Sequence, residues 1–579
     1  MKKGVTDSTR AAQIRWREWG EGAFHEARDR GLPVLLAIGA TWCHWCHVMD
    51  ETTYSDPDVA ARLNTGFIPV RVDTDRRPEV NRRYNMGGWP STAFLNSEGE
   101  VLTGFTYMPA NEFKRVLDRV SKVYKETRGL DAWNAGYLEA PPVEGVLDSE
   151  IVKRFMAVVE GSFDSRYGGF GTQPKFPYAE ALDFALEMYA RTGRASLLEV
   201  VTRTLDGMAR GGMYDRVMGG FFRYSTTRDW SVPHFEKMLE DNAWLLLTYA
   251  SAYKVTGRDY YRGICVEIVD YLDSTLWRER GGYYGSQDAD EAYYGLSLEE
   301  RRKRIPPRID RAIYVNWNAR MASSLIRASR YLGDPTLMER AETILDALLD
   351  EAYTKGEGMC HFVDDDGPHG GGLFEDQIEM CGALLEDPSG DGRSVVARDI
   401  LAYCLKNYWD ERGGGFFDIP TASRGVLRNP VKSLEQNSRA AEVLRRAHGM
   451  ADWMRGPRDL DSTRVEGYAD AALRCLRAFA GSYEKHGLSA APYAAAALHY
   501  LYPVRVEVTG DREDAGTRDA LLALASGFFP GVDVLYTGAR PDGARGPMVR
   551  VCAGTTCLPT ACTINDAVRV VGEALRLSE

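Results

Sequence analysis

Apolar positions along this chain change period twice. The continuous run Pro33-Val-Leu-Leu-Ala-Ile-Gly-Ala40, bounded by Gly31 and a cysteine motif, predicts a buried strand after a helix-like stretch from Trp16 to Arg30. Helical patterns follow at His44 to Thr52 and near Val59 to Leu63, and Phe67 to Val72 predicts a second strand. Strand, helix, strand implies parallel pairing. After a short polar segment, Thr92 to Leu95 and Val101 to Phe105 flank Asn96-Ser-Glu-Gly99 as a hairpin, and a helix from Asn111 to Lys125 follows.

Asp131 to Gly145, with Pro141-Pro142, reads as a linker. Beyond it the period becomes 3.6, with about a dozen amphipathic stretches between Ser149 and Tyr502. Loops such as Tyr167-Gly-Gly-Phe170, Gly219-Gly-Phe-Phe222, Gly281-Gly-Tyr-Tyr284 and Gly414-Gly-Phe-Phe417 recur without fixed spacing, which predicts stacked helical hairpins. From Pro503 the alternation Val504-Arg-Val-Glu-Val508 returns, followed by a helix at Asp519 to Ala525, strands at Val532 to Tyr536 and Met548 to Cys552, and a helix at Asn565 to Leu575: a small α/β domain. The expected division is 1–130, a linker at 131–145, a helical domain at 146–502 and 503–579.

With 579 residues, 44% hydrophobic and 27% charged, the chain is that of a folded multidomain protein. A net charge of −12 argues against a nucleic-acid partner. Lys2 and Lys3 have no apolar segment behind them and no run approaches a membrane span, so a cytoplasmic location without membrane contact is expected. Ten cysteines are too sparse for a disulfide scaffold.

The strongest chemical signal is Thr41-Trp-Cys-His-Trp-Cys-His47, between a strand and a helix. Unpaired N–H groups and the helix dipole favour a thiolate at Cys43, the expected attacking sulfur; Cys46, one turn later, resolves the mixed disulfide. His44 and His47 add support when protonated. The motif also spells c-type haem attachment, which needs export and an axial partner, or part of a zinc site, although adjacent residues of one turn cannot all converge. Inert buried cysteines are the third reading; polar neighbours speak against it. The redox reading needs neither metal nor other cofactor. Cys552, Cys557 and Cys562 match no standard zinc spacing, and Cys552 reads as a small buried hydrophobe.

Cys43-His-Trp-Cys-His-Val-Met49, Gly87-Gly-Trp-Pro90, Pro174-Lys-Phe-Pro177, Gly211-Gly-Met-Tyr-Asp215, Trp230-Ser-Val-Pro-His-Phe-Glu-Lys-Met-Leu239 and Ser286-Gln-Asp-Ala-Asp290 together resemble the thioredoxin-domain proteins related to spermatogenesis-associated protein 20. The resemblance implies a thioredoxin-like domain, with Trp42, Trp89 and a cis Pro90 beside the cysteines. It also implies an (α/α)6 toroid similar to six-hairpin glycosidases and N-acylglucosamine 2-epimerases. The chain departs from that pattern at Ser433-Leu-Glu-Gln-Asn-Ser438, where a Gly-rich Ser-Gly-Asn segment is usual.

The expected function is thiol–disulfide exchange with a protein or small thiol or disulfide, the toroid holding substrate or partner. The alternatives are a carbohydrate-active enzyme with an accessory thioredoxin-like domain, or a non-catalytic binding module. For a toroid pocket the loops offer Tyr214, Asp215, Arg223, Trp230, His234, Glu236, Asp288 and Asp290: aromatic faces and carboxylates that suit a sugar, or an acid and a base. The same residues also serve as helix caps, turn closures and packing devices.

Overall fold

β1 (Val34–Gly39) pairs in parallel with β2 (Ile68–Asp73) and antiparallel with β3 (Ser91–Leu95), which continues into β4 (Val101–Phe105), giving the sheet order β2-β1-β3-β4. The computed structural model describes residues 13–127, 141–386, 392–422, 427, 430–449, 462–511, 514–527, 531–540, 542–543 and 546–577. The stretches 1–12 and 131–140, read from sequence as a leaderless start and part of a linker, lie outside them.

Both faces of this sheet are covered, which is why β1 is apolar throughout. Trp19, Phe24 and Ala27, with Val80 and Tyr84, fill one side. Met49, Val59, Leu63, Phe113 and Leu117 fill the other. Apart from Trp19, which precedes α1, these side chains come from α1 (Glu21–Arg30), α2 (His44–Thr52), α3 (Pro57–Gly66), α4 (Pro78–Tyr84) and α5 (Ala110–Thr127). The architecture is a thioredoxin-like fold.

Two readings are corrected here. α1 starts at Glu21, not Trp16, because Arg17 bridges to Val70 and extends the sheet edge. The polar segment after Asp75 contains α4, opened by Pro78 at its first turn, where a missing N–H costs nothing.

Six helices form a closed ring: Ala179–Thr192, Leu239–Thr256, Val315–Leu332, Phe374–Leu384, Leu434–Gly449 and Ala491–Leu501, each packing on the next and the last on the first. Six more surround them, Ser149–Ser162, Ala195–Arg210, Asp259–Tyr271, Pro335–Glu351, Arg393–Asn407 and Ser462–Phe479. The chain alternates outer and inner, which is an (α/α)6 toroid. The second inner helix starts only at Leu239, because Lys237 and Met238 just before it pair with Gln287 and Ser286.

The Gly-Gly-aromatic loops are clasps between hairpins. Lys175, Lys237 and Lys432 each donate from Nζ to an aspartate, Asp164, Asp215 and Asp410, and to the carbonyl of Gly168, Gly219 and Gly414. Asn242, Asn318 and Asn437, on the second, third and fifth inner helices, pair both ways with the backbone of Phe221, Tyr283 and Phe416, and Gln377 on the fourth does the same with Met359. Asn437 lies in the segment where the chain departs from the usual Ser-Gly-Asn, so the clasp survives that departure.

The C-terminal sheet runs β5 (Val504–Thr509), β6 (Val532–Tyr536), β7 (Met548–Ala553) and β8 (Thr556–Cys557), in the order β6-β5-β7-β8. Helices Ala515–Ser526 and Ile564–Leu577 pack against each other on one face. Cys552 is not a solitary buried thiol: it is disulfide-bonded to Cys557 across the β7–β8 turn.

Candidate active site at the mouth of the toroid

β1 ends at Gly39 and delivers Cys43 to the N-cap of α2, where its Sγ accepts from the Cys46 N–H at 3.2 Å. Cys43 and Cys46 are disulfide-bonded, and Trp89–Pro90 is cis. Trp42 fixes the approach: its indole N–H donates to Asp75 at 2.6 Å and its ring meets Trp89 edge to face at 5.5 Å.

This end of the thioredoxin-like domain lies against the toroid. Ala40, Trp42, Cys43 and Cys46 belong to the same apolar cluster as the ring helices, leaving Cys43 4% and Cys46 7% exposed. Trp45 stays 48% exposed and rests on Tyr107. From the toroid, the Arg223 guanidinium lies 4.3 Å from the Trp42 ring centre and 5.0 Å from that of Trp89, within cation–π range of both. Arg223 also faces Glu236 at 3.7 Å, and Glu236 faces His234 at 3.0 Å, the imidazole stacking on Tyr224. His47 lies 3.8 Å from Asp288.

Arg223, His234, Glu236 and Asp288 therefore meet Trp42, His47 and Trp89 in one interdomain site. The other toroid candidates do not join them. Asp215 is clasped by Lys237 and by Arg301 at 2.7 Å each. Tyr214 bonds to Glu267. Trp230 is fully buried, its ring against Gly169, where any Cβ would fall 2.3 Å from it. Asp290 caps a short helix by accepting from the Tyr293 N–H. His44 is exposed and turns toward Trp45.

Between the two domains is a cavity of about 250 Å³, bounded by Trp42, Asp75 and Trp89 on one side and Arg223, Asp241, Trp317, Arg320 and Glu375 on the other. Burial raises the Asp241 carboxyl to about 6 and that of Glu240 to about 7. Asp75, buried and beside the charge of Asp73, is raised well above the usual carboxylate range, and burial lifts Asp288 to about 6 although His47 pulls it back. Among the described residues no group of three or more His, Cys, Asp and Glu side chains is placed to hold a metal ion.

Arg82, Arg83, His361 and Asp418, which lock the domains together, were not found from sequence, whereas their partners Glu375 and Asp376 read there as candidate walls of the toroid pocket. Arg83 makes a two-pronged pair with Asp418 at 2.7 and 2.9 Å. Arg82 reaches Glu375 at 3.0 Å. His361 bonds from Nε2 to the Asp75 carbonyl at 2.7 Å and from Nδ1 to Asp376 at 2.9 Å. Burial works against its charge, but Asp376 outweighs it and raises His361 to about 9, and Nε2 donates to the Asp75 carbonyl, which can only accept.

Asp73, at the end of β2, gives a pH prediction. Burial and the nearby Asp310 raise it to about 6. An unfolded Asp releases its proton near 4, so between about 4 and 6 the folded state holds a proton the unfolded state has lost, and stability falls as pH rises. Asp73→Asn keeps an acceptor for the Asp75 and Arg76 N–H groups. It is expected to stabilise the protein at pH 7 by on the order of 1–2 kcal/mol, discounted for partial exposure. Thermal unfolding across pH checks this: the gain disappears below about pH 4.

Residues 7–135 match the Thioredox_DsbH family model, described as "Protein of unknown function, DUF255". Human spermatogenesis-associated protein 20 is 31% identical over 337 residues, 51% of this chain and 42% of its own length. The disulfide bond reductase DsbH of Chlamydia pneumoniae is 24% identical over 110 residues, 17% of this chain and 66% of that protein. A sugar epimerase from a ruminal bacterium aligns over 56% of this chain and 85% of its own, with a TM-score of 0.45 and 15% identity. The chain spans about two fifths of the length of the first curated relatives it matches. Among the described residues no helix is long and apolar enough to cross a membrane. This chain thus carries an N-terminal thioredoxin-like domain that matches the Thioredox_DsbH model, ahead of a helical toroid, and over half its length it is similar to spermatogenesis-associated protein 20.

Proposed function

We propose that the protein is a thiol–disulfide oxidoreductase for small substrates, with Cys43 as the attacking sulfur, Cys46 as the resolving one and the toroid cavity as the substrate-selecting surface. The observation that carries this reading is the burial of the bonded cysteine pair, at a helix N-terminus, beneath a helical ring. A folded protein substrate cannot lie across sulfurs 4% and 7% exposed, whereas a small thiol or disulfide fits the spaces beside them, one of about 150 Å³ lined by Cys46, His47 and Pro90 and one of about 250 Å³ beginning at Trp42, next to Cys43 in the chain. Trp42, Trp89 and Trp317 supply apolar faces, and with Arg320 already paired to Glu240 and Glu379, Arg223 is the cation for a carboxylate-bearing molecule.

A second reading, a carbohydrate-type ligand in the same cavity, is favoured by aromatic rings facing the protonatable Glu240 and Asp241. One experiment separates the two. The full-length protein is equilibrated in glutathione and dithiol buffers, and alkylation at Cys43 and Cys46 is read by mass spectrometry. Titration of the pair as a single two-electron couple is the expected result. A pair that stays oxidised at every poise, in a protein whose unfolding midpoint rises with added sugar, overturns the redox reading and favours the second.

A further inference from the structure

The C-terminal domain repeats the core of the N-terminal one. β5 and β6 are parallel, β7 is antiparallel to β5, and β8 returns beside β7, so the order β6-β5-β7-β8 matches β2-β1-β3-β4 strand for strand. Its two helices share one face, as the helices following the first and last strands do in the N-terminal domain. Where the N-terminal domain carries its cysteine pair after the first strand, this one reads Gly510-Asp511 and, further on, Asp514, which caps the next helix. Two of its three cysteines, Cys552 and Cys557, are instead on the β7–β8 hairpin, and the third, Cys562, is an exposed free thiol beyond it.

There the chemistry is arranged for exchange. Cys557 is exposed on the edge strand, whereas Cys552 is 8% exposed. Arg505 on β5 is directly opposite Cys552 in register, so the two share a face of the sheet. The other charges on that face are partnered: Asp533 with Arg445 of the toroid, and Glu507 with Arg550.

We propose that Cys552–Cys557 is a second redox centre, which exchanges at Cys557 with a low-molecular-weight thiol. A thiolate attacks Cys557 Sγ, the Cys552–Cys557 bond breaks, and Cys552 leaves as a thiolate opposite Arg505. A second thiolate attacks the mixed disulfide at the small-molecule sulfur and releases Cys557. Two thiols become one disulfide, and two electrons enter the hairpin.

The test uses the full chain carrying Cys43→Ser and Cys46→Ser, so its outcome is independent of the N-terminal reading. It is titrated in glutathione and dithiothreitol buffers, with alkylation at Cys552 and Cys557 read by mass spectrometry and folding followed by circular dichroism. The expected result is conversion of the pair as one couple while the protein stays folded. In the reduced form, Arg505→Gln slows alkylation of Cys552 at pH 7 by roughly threefold to tenfold, the effect of removing a neighbouring cation, and Arg505→Lys restores it. A pair that stays oxidised until the chain unfolds overturns the proposal, as does an Arg505→Gln protein alkylated at the unaltered rate.

Discussion

In a chain whose Cys552 and Cys557 are both replaced by serine, so that only the N-terminal pair can exchange, replacing Cys43 with serine is expected to lower thiol–disulfide exchange by at least about a thousandfold, because a nucleophile that forms the covalent intermediate has no substitute in its own site. The serine hydroxyl fits the position. What it lacks is an accessible anion: the helix N-terminus that stabilises a thiolate by roughly 0.3–2 kcal/mol cannot ionise an alcohol near neutral pH. Cys46→Ser has a different outcome. Cys43 still attacks, but the sulfur that would displace the substrate is gone, so the mixed disulfide accumulates and appears as a mass increase on the Cys43 peptide. In that background, a Cys43→Ser protein that exchanges within tenfold of its Cys43-containing parent would sink the assignment. A Cys46→Ser protein that traps no adduct would leave Cys43 as an attacking group without a partner.

The elements of this site that were legible in sequence are those whose signal is local. A buried apolar run followed at once by Cys43-His-Trp-Cys46 places the pair at a helix start, and 3.6-residue periodicity marks the ring helices. Arg83 and Asp418 are 335 positions apart, and neither has a neighbour that betrays the other. The helix that carries Arg83 is only seven residues long and polar, too short for a period to emerge. Asp215 failed for another reason: a clasp and a sugar pocket draw on the same carboxylates, glycines and aromatic rings. A signal was available, since Asp164, Asp215 and Asp410 each precede by four the glycine whose carbonyl a later lysine binds. Comparing the three loops with one another would have set Asp215 apart from Arg223 and His234. For Cys552 and Cys557, the intervening Ala553-Gly-Thr-Thr556 is a hairpin turn that puts the sulfurs opposite one another.

Docking of the two domains depends on the charge pair itself, and Arg83→Ala is expected to release it. Arg83 and Asp418 side chains are 5% and 0% exposed. Truncating the arginine leaves Asp418 in the interface with the Val431 N–H at 2.9 Å and Arg82 at 3.4 Å. Orphaning one partner of a buried pair costs about 3–5 kcal/mol, most of it the desolvation of the charge left behind, and the Arg82 and Val431 contacts hold the cost here to the lower end. Because this pair joins the domains, the cost falls on the docked state and shifts the equilibrium toward separation. Cys43 is buried through that docking, so its alkylation in the reduced protein should accelerate by on the order of a hundredfold, the lower end of the same energy. Removing both charges, in Arg83→Ala with Asp418→Ala, discriminates the cause. With no orphaned carboxylate the double variant recovers much of the docking, and the two substitutions are strongly non-additive. Alkylation within twofold of the unaltered rate in the single variant would mean that the apolar contacts around Trp42 and the bonds from His361 hold the domains without this pair. If the acceleration appears instead, a large disulfide substrate should gain access to Cys43 in the same variant while the preference for small thiols is lost, which ties the substrate range of the cysteine pair to one buried arginine.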